Sequence, residues 1–300
     1  MTTMPRITHP VRTRKRTFRQ RADNRLVAAY TTGLTKTYDP GGDPALDNVN
    51  VAFRAGELCA LMGPSGSGKS TLLACLAGHE PPSVGRVYVG RGGARPWMPQ
   101  QVRQICRDEV GFTLSHSQPF LDRTVMENLE WAGALAGLPV GSRTEQIEHV
   151  AEVMGLREHL NTPVEDLPDG LRHLTMCGAA LLPDPSVLLV DENESGEAMT
   201  AATFEVLRRC TGELGTTVVA VTDRPDAAAL ADRVMFLAAG RVAGIITRPA
   251  EDVVCELRQA FAVQHGRRRV AGGATPEPAP ESGPAPVDSP ISGTPRPAQT

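Results

Sequence analysis

Apolar positions fall into two patterns along the chain: short unbroken runs and longer stretches of helical period. Leu58 to Met62 and Val187 to Val190 are unbroken runs too short for helices, the signature of strands buried on both faces of a parallel sheet. Thr217 to Thr222 predicts another strand. Between these runs the period lengthens. Leu72, Leu73 and Leu76 predict a helix ended by Gly78, and Phe204, Leu207, Cys210 and Leu214 another. Thr124 opens a helix through Val125, Leu129, Ala132 and Ala136 that breaks at Gly137-Leu138-Pro139. Ser142-Arg143-Thr144-Glu145 then fits a capping box ahead of a helix whose buried face carries Ile147, Val150, Ala151 and Met154.

Shorter strand signals flank this alternation. Leu26 to Tyr30 and Val49 to Phe53 bracket a turn at Asp39-Pro40-Gly41-Gly42, while Gly85 to Gly90 and Val110 to Leu114 predict two more strands. Val234 to Leu237 and Arg241 to Ile246 predict a hairpin joined near Gly240, followed by a helix with Val253, Leu257 and Phe261 on one face. The order implies an α/β fold: a mixed sheet with flanking helices, additional antiparallel strands, and an inserted helical subdomain over about residues 115–180.

The two ends read differently. Residues 1–24 form a basic arm without apolar period, and the stretch to residue 25 holds eight basic side chains against one acid, Asp23. Such an arm fits a solubilising tail, contact with anionic lipid or, less well, nucleic acid. Lys15-Arg16-Thr17-Phe18 lacks the following apolar segment that an export signal requires. From Gly266 onward come Arg267-Arg268-Arg269 and eight prolines, a composition that builds no core, so residues 264–300 are expected to be a disordered tail and residues 25–263 the folded domain. Cys59, Cys75, Cys106, Cys177, Cys210 and Cys255 lack metal-type spacing and read as reduced cytosolic thiols. No run approaches the roughly 18 apolar residues of a spanning helix, so membrane association is expected to come through a partner.

The chemistry concentrates at Gly63-Pro64-Ser65-Gly66-Ser67-Gly68-Lys69-Ser70-Thr71, which matches G-x-x-x-x-G-K-[ST] between a strand and a helix. That is a phosphate-binding loop. Its glycines let backbone N–H groups face phosphate, the helix start adds partial positive charge, Lys69 is placed to reach the β- and γ-phosphates, and Ser70 to ligate magnesium. A nucleoside triphosphate is the expected ligand. Asp191 and Glu192 leave the C-terminal end of a buried strand, where open α/β sheets bind ligands, so Asp191 suits the metal and Glu192 a general base for water. Tyr38, just before a turn, suits either stacking on adenine or plain packing.

The motif order resembles the ATP-binding subunits of ABC transporters, nearest to the branch that powers lipoprotein release and macrolide export. The resemblance spans about residues 26–245 and rests on ALMGPSGSGKSTLLACLAG (60–78), VGF (110–112), TVMENL (124–129), LLPDPSVLLVDE (181–192) and ADRVMFLAAGRV (231–242). It implies an ATP-binding core with a helical subdomain, a membrane-spanning permease as partner, and a head-to-tail dimer with a second ATP-binding domain that sandwiches two nucleotides.

Four motifs depart from the family. Ser115 stands where the family carries a glutamine, with Gln118 three residues late. Leu167-Pro168-Asp169-Gly170-Leu171 replaces the Leu-Ser-Gly-Gly-Gln signature. Asn193, Glu194, Glu197 and Ala198 alter the loop after Glu192, and Asp223 replaces the switch histidine. Pro168 has no N–H and Asp169 brings a carboxylate, so repulsion replaces capture of a γ-phosphate across the dimer. Proline suits the first helical position and aspartate complements the dipole, so the helix is still expected to form; Asp223 is expected to help begin the helix holding Pro225. The expected protein is a cytoplasmic ABC-type ATPase subunit, peripheral to the membrane and slow in isolation. The alternative is a nucleotide-gated regulatory or scaffolding subunit without useful turnover. A DNA-associated ABC ATPase is disfavoured, because no coiled-coil or zinc-type insertion lies between Gly63 and Leu167.

Overall fold

The computed structural model describes residues 27–90, 95–96, 109–113, 118–191 and 199–272. Among the described residues, ten strands form two sheets. One has four strands in the order β2 (Leu46–Arg54), β1 (Val27–Lys36), β4 (Val84–Val89), β5 (Arg95–Pro96), all antiparallel. The other has six: β10 (Arg241–Thr247), β9 (Arg233–Ala238), β3 (Leu58–Met62), β8 (Thr217–Val221), β7 (Val187–Val190), β6 (Val110–Thr113). Five of these run parallel and β10 is antiparallel to β9, which gives the mixed sheet the sequence implies.

The unbroken apolar runs follow from a sheet covered on both faces. Along β3, Leu58, Ala60 and Met62 enter one core and Cys59 and Leu61 the other; Leu188 and Val190 part in the same way from Val187 and Leu189. Strand side chains alternate between faces, so two cores demand an apolar residue at every position. One core packs against α2 (Val125–Leu135), α3 (Val140–Val153), α4 (Asp169–Leu181) and α5 (Ala201–Glu213); the other against α1 (Lys69–Leu76) and the antiparallel sheet.

Several local expectations are corrected. The capping box lies at α2, where the Thr124 side chain accepts from the Glu127 amide and Glu127 accepts from the Thr124 amide. Ser142 is instead inside α3, which starts at Val140 after Pro139 and has no side-chain cap. Proline at the N-cap, with its fixed φ, starts that helix three residues earlier than the Ser-x-x-Glu pattern suggests. On α7 (Glu251–Gly272) the inward residue is Val254, fully buried, with Leu257 and Phe261; Val253 is exposed. The 254, 257, 261 set keeps helical spacing one position later. Helix α7 continues through Gly272, beyond the boundary at 263 that its arginines and glycines suggested.

One buried ion pair ties the two sheets. Arg233 Nη2 donates to Glu57 Oε1 at 2.6 Å and to the Ala52 carbonyl, and both side chains are about nine-tenths buried. Burial raises the Glu57 carboxyl above its ordinary range while the Arg233 charge opposes that shift. Removing one partner strands the other charge, so Arg233→Ala should cost about 3–5 kcal/mol in urea unfolding. The double change Glu57→Gln, Arg233→Met should cost much less; an equal cost in both would contradict the pairing.

Candidate functional site

The site lies at the C-terminal edge of the parallel sheet, where β3 passes into the phosphate loop and α1. Gly63 has φ +151°, and no side chain fits there: a Cβ would come 2.1 Å from the Leu237 carbonyl oxygen and 2.8 Å from Ser67 Oγ. Gly66 and Gly68 also take positive φ, and Gly68 is the N-cap of α1 with no side-chain cap hydrogen bond. Four amides of a helix start lack intrahelical partners, so an uncapped start presents donors to an anion. Ser65 and Gly66 form the exposed crest, and Pro64 accepts the Ser67 amide at 3.1 Å to close the turn. Ser67 is fully buried and its hydroxyl has no protein partner.

Lys69 Nζ donates to the carbonyls of Gly63 at 2.8 Å and Pro64 at 3.0 Å, so the ammonium lies across the loop. Thr71 follows on α1, half-buried. Ser70 Oγ donates to Asp191 Oδ1 at 3.3 Å across a separation of 121 residues. Asp191 is only 4% exposed at the end of β7, and its amide donates to the Thr113 carbonyl at the end of β6. A hydroxyl beside a buried carboxylate offers two hard oxygens, the donor set magnesium takes together with phosphate oxygens. The residues present therefore fit MgATP.

Tyr38 is exposed, with the Lys36 ammonium 4.9 Å from its ring centroid. Lys36 pairs with Leu46, and Leu46 Cδ2 would lie 2.9 Å from a Cβ on Gly68, so the tyrosine segment borders the loop. Glu192 and Ser115 lie outside the described residues, as does the altered loop of Asn193, Glu194, Glu197 and Ala198. Gln118 is described and exposed.

Residues 46–195, half of the chain, match the family described as ABC transporter. The chain belongs to that family. It is 33% identical over 216 residues to the methionine import ATP-binding protein MetN of Leifsonia xyli subsp. xyli, covering 70% of this chain and 63% of that protein. It is 36% identical over 209 residues to the Fe(3+) ions import ATP-binding protein FbpC of Streptomyces coelicolor, covering 68% and 58%. The chain thus spans under two thirds of the length of these relatives. Among solved structures, it is similar to a dimeric post-hydrolysis state of an ATP-binding cassette bound to ADP and Pi, with TM-score 0.61, 26% identity, and coverage of 74% of this chain and 99% of that one. The names of the two relatives are those of importers, whereas the motifs resemble an export branch; the cassette is what they share.

Away from the phosphate loop, the ABC cassette carries its departures on well-formed elements. Pro168 is the N-cap of α4, one position before the place expected for it, and Asp169 opens the helix. Arg172 Nη1 is 3.5 Å from Asp169 Oδ1, and the same guanidinium donates to the carbonyls of Val164 and Glu165. It therefore pins the preceding loop and partly offsets the carboxylate. Asp223 is exposed and does not cap the next helix: Arg224 occupies the N-cap of α6 (Pro225–Ala228), with no side-chain cap hydrogen bond. Pro225 with its fixed φ suffices to begin so short a turn. The Asp223 carbonyl accepts from Arg258 of α7 at 2.9 Å, a contact invisible in the sequence. No group of three or more potential metal-ligating His, Cys, Asp or Glu side chains occurs among the described residues, and no helix among them is long and apolar enough to cross a membrane.

Lys69 brings the one full cation into a loop otherwise made of amides and hydroxyls. Lys69→Ala should abolish binding of fluorescent ATP in a titration against the unchanged chain, and equal affinities would refute the assignment of the loop.

Proposed function

We propose that this chain is the ATP-binding subunit of an ABC-type transporter, binding MgATP and coupling it to a membrane-spanning permease, with weak hydrolysis in isolation. The observation that carries the reading is the convergence of Lys69, across the loop at Gly63 and Pro64, with Ser70 and Asp191 at an uncapped helix start. In this reading Gly63, Pro64, Ser65, Gly66, Ser67, Gly68, Ser70 and Thr71 cradle the triphosphate, Lys69 neutralises it, and Tyr38 stacks the base. Ser70 and Asp191 hold Mg2+, which supplies charge neutralisation at the β- and γ-phosphates. Glu192, next in sequence to Asp191, is the proposed general base. The chain works from the cytoplasmic side of the membrane, held there by its partner.

Slow turnover follows from Pro168 and Asp169. A donor-less residue and a carboxylate occupy the positions that would face a γ-phosphate across a dimer, and Asp223 offers an acceptor where a donor belongs. Losing one preorganised donor costs about 3 kcal/mol, a factor of order 10² to 10³ in rate. A homodimer carries this defect twice, whereas a second ATP-binding domain with an intact signature would complete the site built on Lys69. Steady-state phosphate release by the chain alone should be slow and should rise by at least about tenfold in Pro168→Ser, Asp169→Gly, with Glu192→Gln as background. Rapid Glu192-dependent release by the unchanged chain would overturn this reading, as would a reverted signature without effect. The rival reading, a nucleotide-gated subunit without useful turnover, draws on the same replacements.

The basic arm of residues 1–24 suits contact with an anionic bilayer, each cation near such a surface contributing about 1 kcal/mol. Sedimentation with phosphatidylserine vesicles should fall on deleting the arm and on raising salt beyond the range where the Debye length is about 10 Å. Identical binding by both forms would refute the contact.

A further inference from the structure

Two segments far apart in sequence grip the phosphate loop from behind. At the turn between β9 and β10, the Gly240 amide donates to the Ser67 carbonyl at 3.0 Å, and the Leu237 carbonyl fills the space beside Gly63. At the start of β2, the Ala45 carbonyl oxygen lies 2.4 Å from where a Gly68 Cβ would be. The two segments are also tied to each other. The Asp47 amide donates to the Gly240 carbonyl at 2.8 Å, and Arg241 Nε donates to Asp47 Oδ2 at 2.7 Å, with Nη2 on the same oxygen. Gly240 has φ +72°, and a Cβ there would sit 2.8 Å from the Ala45 carbonyl oxygen and 3.2 Å from Leu46 Cα. No side chain enters that junction without parting the hairpin from β2.

We propose that Gly240 and the Asp47–Arg241 pair are positioning residues that set phosphate affinity from outside the nucleotide pocket. The inference rests on the nucleotide reading above. In a trans peptide the C=O and N–H point in opposite directions. Anchoring the Ser67 carbonyl on Gly240 therefore turns the Gly68 N–H away from the hairpin and fixes the peptide plane that leads into the N-cap of α1. Loosening the clasp frees that plane to rotate, and its donor is then no longer preorganised for an anion. Arg241 and Asp47 are partly exposed, with side chains 53% and 31% accessible, so the pair acts as a restraint of modest strength rather than as a core contact.

The test is a titration of the full chain with ATP and with inorganic tripolyphosphate, each read by displacement of fluorescent ATP, beside thermal melts. Arg241→Met should weaken both ligands by the same factor, about threefold to fivefold, the scale of an exposed ion pair. Arg241→Lys, which keeps the charge, should stay within about twofold of the unchanged chain on the same scale. Gly240→Val should lose more affinity than either, and its melting curve shows whether it still folds; if it does not, the Arg241 variants decide. Loss of ATP affinity alone, with tripolyphosphate unchanged, would place the effect at the Tyr38 end of β1 and overturn the proposal. Unchanged affinity in Arg241→Met, or equal loss in Arg241→Lys, would also overturn it. An unchanged chain that binds neither ligand would overturn the nucleotide reading and this inference together, whereas intact binding with an unaffected Arg241→Met overturns this inference alone.

Discussion

The Leu237 carbonyl oxygen stands 2.1 Å from where a side chain at Gly63 would begin, and the rest of the site depends on that approach. Two parallel strands, β3 and β9, end side by side, with Met62 paired to Phe236, and the chain leaving β3 must turn at once without a Cβ. The turn brings the Gly63 and Pro64 carbonyls within reach of the Lys69 ammonium and leaves α1 without a side-chain cap. Neighbouring β7 delivers Asp191 to Ser70 because β7 and β3 both pair with β8. Burial on both faces of the sheet holds these strand ends in register, so the apolar runs and the phosphate loop are parts of one constraint.

The loop that would hold a nucleotide within one chain keeps its glycines, its cation and its oxygen pair. The helix start that would meet a second chain's nucleotide keeps its shape and the amides of Asp169 and Gly170, but Pro168 supplies no N–H and Asp169 adds a negative charge that Arg172 only partly offsets. The missing N–H of Pro168 costs the helix no internal hydrogen bond, and an acidic first turn complements the dipole, so α4 still forms. On the proposed reading, nucleotide affinity and nucleotide-driven association would be uncoupled in this chain.

Sequence reasoning reached the elements whose signal is local. The parallel strands were legible because two-sided burial leaves unbroken apolar runs, and the phosphate loop because its glycines and lysine carry both geometry and chemistry. Errors arose where two local patterns competed. Ser142 to Glu145 has the capping-box pattern, but Pro139 starts α3 first, and the box that forms is Thr124 with Glu127. Val253 and Val254 fit the helical period equally well until the sheet selects Val254. Contacts across long separations left no local trace. Gly240 on Ser67, Asp47 on Arg241 and Arg258 on the Asp223 carbonyl depend on how the hairpin, β2 and α7 pack.

The proposed retention of binding within the chain and its loss across a dimer meet in a single observable, the association state of a nucleotide-loaded chain. Sedimentation velocity of Glu192→Gln, which blocks the proposed base and so preserves ATP, can be recorded with and without saturating MgATP while bound nucleotide is measured in the same boundary. One nucleotide per chain in a boundary that stays monomeric is the expected result, because Pro168 and Asp169 deny the γ-phosphate its partner across the interface. A stable dimer formed only with MgATP would contradict it and would mean that other groups at that interface replace the lost donors.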